Sequence, residues 1–409
     1  MKNAKVLGLI IAGGRGIRLY PLTQTRCKAA VPFAGRYRLI DFVLSNFINS
    51  HICAVYVLTQ FLSQSLLNHI NKDWEFGGLL DDHFIVPVPA QMQLGEKWYQ
   101  GTADAIYQNI NLIENFNPDL VAVFGADHVY RMDIQQMIDY HIAKRAKATV
   151  AVNPLPLSDA SQMGVVEIDN DFRVMNFQEK PSNPKAMPGN PSMSLVSMGN
   201  YIFDPSFLVD ELKKDAQLET DHDFGKVILP SLIGREDIYA YNFQENKVPG
   251  ESADRPNYWR DVGTIDSYYE ANMDLRSVYP QFNMYNKKWP IRTVSYGDPP
   301  AKFSLDEQKN PGIATSSIIC YGSIISGGKV TDTILGPNVY VDAKTTVESS
   351  IILSWVEIGK RVKIRNAIID KNVRIPDGTT IGYNLAEDKK RFHVTDSGIV
   401  VVPKNYVFS

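Results

Sequence analysis

Residues 7–28 read LGLIIAGGRGIRLYPLTQTRCK, and the rest of the chain is organised around them. The apolar run from Val6 to Ile11 predicts a buried parallel strand. The Ala12-Gly13-Gly14-Arg15-Gly16 that follows predicts a loop whose backbone lies close against a ligand, because glycine brings no Cβ. A loop after a strand presents several N–H groups in a concave nest, and Arg15, Arg18 and Lys28 add three cations within fourteen residues. That charge density suits a triphosphate. The spacing is neither GxxxxGK[ST] nor GxGxxG, so neither P-loop hydrolysis nor dinucleotide binding follows from it. Taken alone, the glycines serve equally well as a plain strand-to-helix connection.

A chain of 409 residues exceeds what one hydrophobic core supports, so two domains are expected. Lys and Arg number 42 against 45 acidic residues, a net charge of -3, which excludes the broad basic field of a nucleic-acid binder. The cations beside the glycines are therefore a local device. Met1-Lys2-Asn3 runs straight into the first strand with no signal-like apolar segment, and no later apolar run reaches ~20 residues, so a cytoplasmic chain without a membrane span is expected. Cys27, Cys53 and Cys320 match neither a zinc pattern nor a disulfide framework and read as free thiols. Cys27, beside Lys28, reads as a small packed side chain, with a reactive thiol as the alternative.

From residue 1 to about 275, apolar strands (Val55–Thr59, Leu120–Gly125, Thr149–Val152) alternate with helical periodicity (Arg38–Asn49, Thr102–Ile113, Ile134–Lys144), which predicts a doubly wound, mostly parallel α/β sheet. Ligands of such sheets sit at the carboxyl ends of strands, where both the glycine loop and Gly125-Ala126-Asp127-His128 fall. Pro181 to Pro191, with four prolines, reads as a loop over or beside that site. Regularity fades between Pro280 and Pro311, read as a linker. Beyond it Ile318, Ile324, Val330, Leu335, Val341, Val347, Leu353, Ile358, Ile364, Ile369, Ile375 and Ile381 step by six residues eight times and by five three times, the mark of a parallel β-helix with its aliphatics stacked inward. The sides and ends of such a coil predict subunit contacts.

Several residues stand out for chemistry. Asp127 ends a buried strand at the expected crevice edge, where it would hold a metal rigidly or else cap a helix starting near Val129. On sequence alone Asp261 is an ordinary turn residue, and the Glu179-Lys180 pair an ordinary charged surface. His128 receives no role.

GGRGIRLYPLT and RCKAAVPFAGRYRLIDF resemble the signature of sugar-1-phosphate nucleotidyltransferases, and WYQGTADAI, FGADHVYRMD, FQEKP, SMGNYIF, HDFGK and YWRDVGT follow in the order found in the ADP-glucose pyrophosphorylases among them. The resemblance runs from about Val6 to about Val402. It implies a nucleotidyltransferase domain over residues 1–280, a linker over 281–312 and a left-handed β-helix over 313–409, assembled as a homotetramer. It also implies the substrates ATP and glucose 1-phosphate, a supply of ADP-glucose to glycogen- or starch-type glucans, and regulation by anionic metabolites. Arg15, Lys28 and Asp127 take the catalytic positions, and Gly13, Gly14, Arg15, Gly16 and Arg18 the nucleotide-binding ones. Asp127 and Asp261 become ligands of Mg2+. Tyr99, Gly164, Glu179, Lys180, Ser197, Tyr201, Asp223 and Trp259 match positions lining the sugar-phosphate pocket.

The chain departs from the family pattern at Ile17, Ala29 and Thr25. The last stands where fructose-bisphosphate-activated members carry a lysine, which implies a weaker response to that effector; Arg38, Lys389, Lys390 and Arg391 remain as candidate anion contacts. Two other readings stand beside the main one: the same reaction with UTP or dTTP, and a catalytically silent regulatory subunit. Against silence, a subunit freed from catalysis has no physical need for Arg15, Lys28, Asp127, Lys180 and Asp261 together.

Overall fold

The computed structural model describes residues 4–74, 82–91, 95, 97–252, 254–295 and 297–408. Its centre is the strand Val6–Ala12, flanked in parallel by Ala54–Thr59 on one side and Leu120–Gly125 on the other, with Phe84–Pro89 parallel beyond Ala54–Thr59. The inner three are buried along nearly their whole length and read as continuous apolar runs, as strands covered on both faces do, whereas the edge strand Phe84–Pro89 exposes Val86 and Pro89. The chain proceeds outward from the first strand, then crosses back to its other side at Leu120–Gly125, so the strand order reverses there. A crevice opens at such a reversal.

The continuous parallel part of the sheet is these four strands, and Ile238–Asn242 adds one further parallel pairing, with Ala148–Pro156. The full sheet has nine, and its second half is mixed. Met193–Phe203 runs antiparallel to Leu120–Gly125 and to Ala148–Pro156, and Gly164–Ile168 pairs antiparallel with Val174–Glu179. The short connection of that last pair leaves no room for a crossover, which forces the antiparallel sense. The expected helix over Thr102–Ile113 is two, Thr102–Tyr107 and Ile110–Phe116. Asn109 breaks it: its side-chain amide donates to the Ala105 carbonyl at 2.8 Å and to the Tyr99 hydroxyl at 2.9 Å, and its backbone leaves the helical region.

Residues following Asp127 form a strand rather than a helix. His128–Tyr130 pairs antiparallel with Trp259–Asp261, so Asp127 caps nothing. The stretch read as a linker is irregular but packed. Phe282, Trp289, Ile291 and Val294 are buried, Thr293 donates to the Asp41 carboxylate, and Asn49 donates to the Pro290 carbonyl. The first rung of the coil, Lys302–Ser304, already lies within that stretch.

The coil has three faces of parallel strands, two of five strands and one of six that includes a final antiparallel pair. Val330, Val347 and Ile364 stack in register on one face, Val341, Ile358 and Ile375 on the second. On the third the expected phase fails at two places. Ile352, not Leu353, points inside with Leu335 and Ile369, and at the first rung Ile319 replaces Ile318; on the second face Ile325, in register with Val341, replaces Ile324. Leu353, Ile351, Ile368 and Val401 instead face outward and join Leu22, Phe33, Leu39, Phe42 and Tyr268 in one buried cluster between the two domains. That cluster is closed by an ion pair between Arg26 and Asp370, both buried, and by Tyr269 donating to the Ser349 carbonyl at 2.5 Å. Among the described residues no helix is long and apolar enough to cross a membrane.

Candidate active site

A crevice of about 570 Å3 opens at the carboxyl ends of Val6–Ala12 and Leu120–Gly125. Its floor is the glycine loop. Gly14, Arg15, Gly16, Arg18 and Lys28 line it, with Gly13 just behind, 3.4 Å from Gln60 at the point a Cβ would occupy. Gly16 is required on two counts: its φ is +61, and a Cβ there would stand 3.0 Å from the Cβ of Lys28. Arg15 and Arg18 are exposed and lie at the rim, Arg15 over the Phe61 ring at 5.7 Å.

The two carboxylates, distant in sequence, are brought together by the short ribbon, in which Asp261 pairs with His128. Lys28 is buried, and its Nζ lies 2.8 Å from Asp127 Oδ2 and 2.8 Å from Asp261 Oδ1. Arg18 Nη2 approaches Asp261 Oδ2 at 3.6 Å. Burial by itself would raise the Asp127 carboxyl, but the Lys28 ammonium outweighs it and holds the group well below the usual carboxylate range. Conversely, burial works to lower the Lys28 ammonium, and the two carboxylates more than reverse that. Both acids and His128 place a ligand atom within 4.8 Å of one another. An ionised carboxylate pair is the donor set that a hard ion such as Mg2+ prefers, so the residues fit that metal.

Gly164, Glu179, Lys180, Ser197, Tyr201 and Asp223 line the same crevice. A Cβ on Gly164 would come within 2.7 Å of Phe177 Cζ and 3.0 Å of Glu179 Oε2, so only hydrogen fits. Lys180 adopts φ +49, donates its backbone N–H to the Met163 carbonyl at 3.0 Å, and sets Nζ 3.2 Å from Glu179 Oε1. Ser197 and Tyr201 bracket a register shift in Met193–Phe203. Burial pushes the Tyr201 phenol far up, so it is a neutral donor. Asp223 is heavily engaged: Oδ1 accepts from the N–H groups of Gly225 and Lys226, and Oδ2 from the Thr102 hydroxyl.

Residues 7–278 match the nucleotidyl transferase family, and residues 299–402 match the GlmU-like C-terminal hexapeptide family. The chain is 50% identical over 405 residues to a glucose-1-phosphate adenylyltransferase of Anaeromyxobacter sp. (strain Fw109-5), covering 98% of each chain. It is 50% identical to the enzyme of that name from Deinococcus radiodurans (99% of each chain) and 51% identical to that of Thermus thermophilus (100% of each). The chain belongs to the glucose-1-phosphate adenylyltransferase family. Its fold is accordingly the nucleotidyltransferase α/β domain followed by a left-handed parallel β-helix.

Two residues matched to this family's sugar pocket lie outside the crevice lining. Tyr99 is partly buried against the apolar core and accepts from Asn109, while Trp259 is buried beneath His128, ring to ring at 5.1 Å. Thr102, Gly225 and Gly263 belong to that lining and escaped sequence reasoning. Thr102 links the Asp223-Phe224 segment to its own helix, accepting from the Phe224 N–H at 3.0 Å; a Cβ on Gly263 would meet Arg18 Nη2 at 2.9 Å. Their signals were present in the TADAI, HDFGK and RDVGT blocks. Of the candidate effector contacts, Arg38 lines a recess of about 370 Å3 with Thr25, Lys72 and Lys404, whereas Lys390 and Arg391 pair locally with Glu387 and Asp388. Cys27 is buried and burial pushes its thiol up, the condition of a packed rather than a reactive side chain.

Proposed function

We infer that this family member transfers the adenylyl group of ATP to glucose 1-phosphate. A phosphate oxygen of the sugar phosphate bonds to the α-phosphorus as the bond to the diphosphate leaving group breaks, giving ADP-glucose. No protein nucleophile is needed; the demand is to hold two anions in line. The observation carrying this reading is one crevice that joins the glycine loop with Arg15, Arg18 and Lys28, the Asp127–Asp261 pair, and Glu179-Lys180 beside Gly164. Arg15, Arg18 and Lys28 bind the triphosphate, Lys180 gives a point charge to the sugar phosphate, and Glu179 accepts from sugar hydroxyls. Asp127 and Asp261 would hold Mg2+, which supplies neutralising charge for the phosphates. Purified protein given Mg2+, glucose 1-phosphate and each nucleoside triphosphate should release diphosphate fastest with ATP. Equal or greater release with UTP overturns the adenylyl assignment.

The chemistry is assigned to residues 1–280, and the coil, expected over 313–409 but beginning at its first rung Lys302–Ser304, is assigned to assembly into a homotetramer in the cytoplasm. Exposed Phe303, Leu305 and Ile313 at the open end of the coil support such contacts. Light scattering should return four times the chain mass at micromolar concentration, and a monomer mass removes the assembly role. Anionic effectors are assigned to the recess at Thr25 and Arg38. With threonine at position 25, activation by fructose 1,6-bisphosphate should be weak or absent.

A further inference from the structure

The Asp127–Asp261 pair carries its own counterion. Lys28 Nζ donates to one oxygen of each acid at 2.8 Å, and the ammonium is buried, so water screens the contact little. A divalent cation seeking the same oxygens meets a positive charge already in place. The stem of that lysine borders the phosphate loop as well: its Cβ lies 3.0 Å from the point a Gly16 side chain would fill. One residue thus touches both the acid pair and the seat of the triphosphate. A lysine side chain is a four-carbon stem with a compact ammonium and three donors, so Nζ can change partner while the backbone stays put.

We propose that Lys28 is a tethered stand-in for the metal. In the unliganded chain it fills the carboxylate pair. A triphosphate seated on the glycine loop offers it stronger acceptors and draws it off, which opens the pair to the divalent cation. Metal and nucleotide binding are coupled through this exchange, and by linkage each strengthens the other. The proposal rests on the assignment above of the loop to the triphosphate and the acids to the metal.

Mn2+ is the probe, its free concentration followed by electron paramagnetic resonance in a titration of the full chain without nucleotide. Lys28→Gln, one atom shorter, keeps a hydrogen-bond donor but removes the charge, and should bind Mn2+ about tenfold tighter than wild type, or more, since a like charge has left the site. Lys28→Arg keeps the charge and should bind as weakly as wild type. With an α,β-methylene analogue of ATP present, wild type and Lys28→Gln should converge. Lys28→Met carries the same expectation as Lys28→Gln should the latter not fold. A folded neutral variant that binds Mn2+ no tighter than wild type overturns the stand-in role. If wild type still makes ADP-glucose from ATP, that role alone falls. If no form binds Mn2+ even with the analogue, the metal assignment beneath it falls too.

Discussion

Asp127 and Lys180 are given different jobs, and their substitutions should leave different kinetic traces. Asp127→Asn keeps size and hydrogen bonding while removing the charge held against Lys28. The loss should fall in kcat, on the order of 10³-fold, because metal-borne charge stabilisation is realised in the transition state. Steady-state kinetics with unchanged kcat and raised KM would contradict the assignment. Lys180→Gln removes a charge-assisted contact of roughly 1.5–3 kcal/mol made in ground and transition states alike, so KM for glucose 1-phosphate should rise about 10- to 100-fold. KM for ATP should stay put; a change confined to kcat would exchange the two roles.

At the level of elements, the helix Ile134–Lys144 shows how burial against the sheet writes a pH dependence. Asp133 caps its start, accepting from the Gln135 N–H at 3.0 Å, and Arg145 ends it in the left-handed region. His141 lies on the buried face, Nδ1 2.8 Å from the Thr149 hydroxyl, and burial lowers its pKa to about 4. The unfolded chain, with an ordinary histidine near 6.5, takes up that proton first as pH falls. Stability is therefore full above pH 6.5 and declines through the window down to about 4, by about 3 kcal/mol in total. Urea midpoints of wild type and His141→Gln should differ in slope across that window, the variant being flatter; parallel lines would show that His141 titrates normally in the fold.

The whole molecule depends on the face of the coil that meets the α/β domain. Arg26 and Asp370 are both buried there, and Arg26 Nε also donates to the Leu22 carbonyl at 2.9 Å. Asp370→Asn strands the guanidinium without its partner, a loss of about 3–5 kcal/mol. A denaturation midpoint unchanged by Asp370→Asn would mean that solvent reaches Arg26. Replacing both partners with apolar residues should recover much of the loss, because the desolvation of both charges disappears with them.

Local chemistry was legible in the chain itself. The run into Gly13-Gly14-Arg15-Gly16 specified a strand and a close-lying glycine loop, and the recurring aliphatics specified a coil, because backbone geometry and side-chain period act over a few residues at a time. Tertiary structure decided what depends on neighbours remote in sequence. Only the pairing of Trp259–Asp261 with His128–Tyr130 turns Asp261 from a turn residue into the partner of Asp127, and only that pairing puts Lys28 between them. On the third face of the coil the sequence carries aliphatics on both sides of the strand, as at Ile351-Ile352-Leu353, because one side fills the coil and the other is covered by the α/β domain. A hydrophobic pattern records that a side chain is buried; which of two apolar surroundings buries it is settled by packing alone.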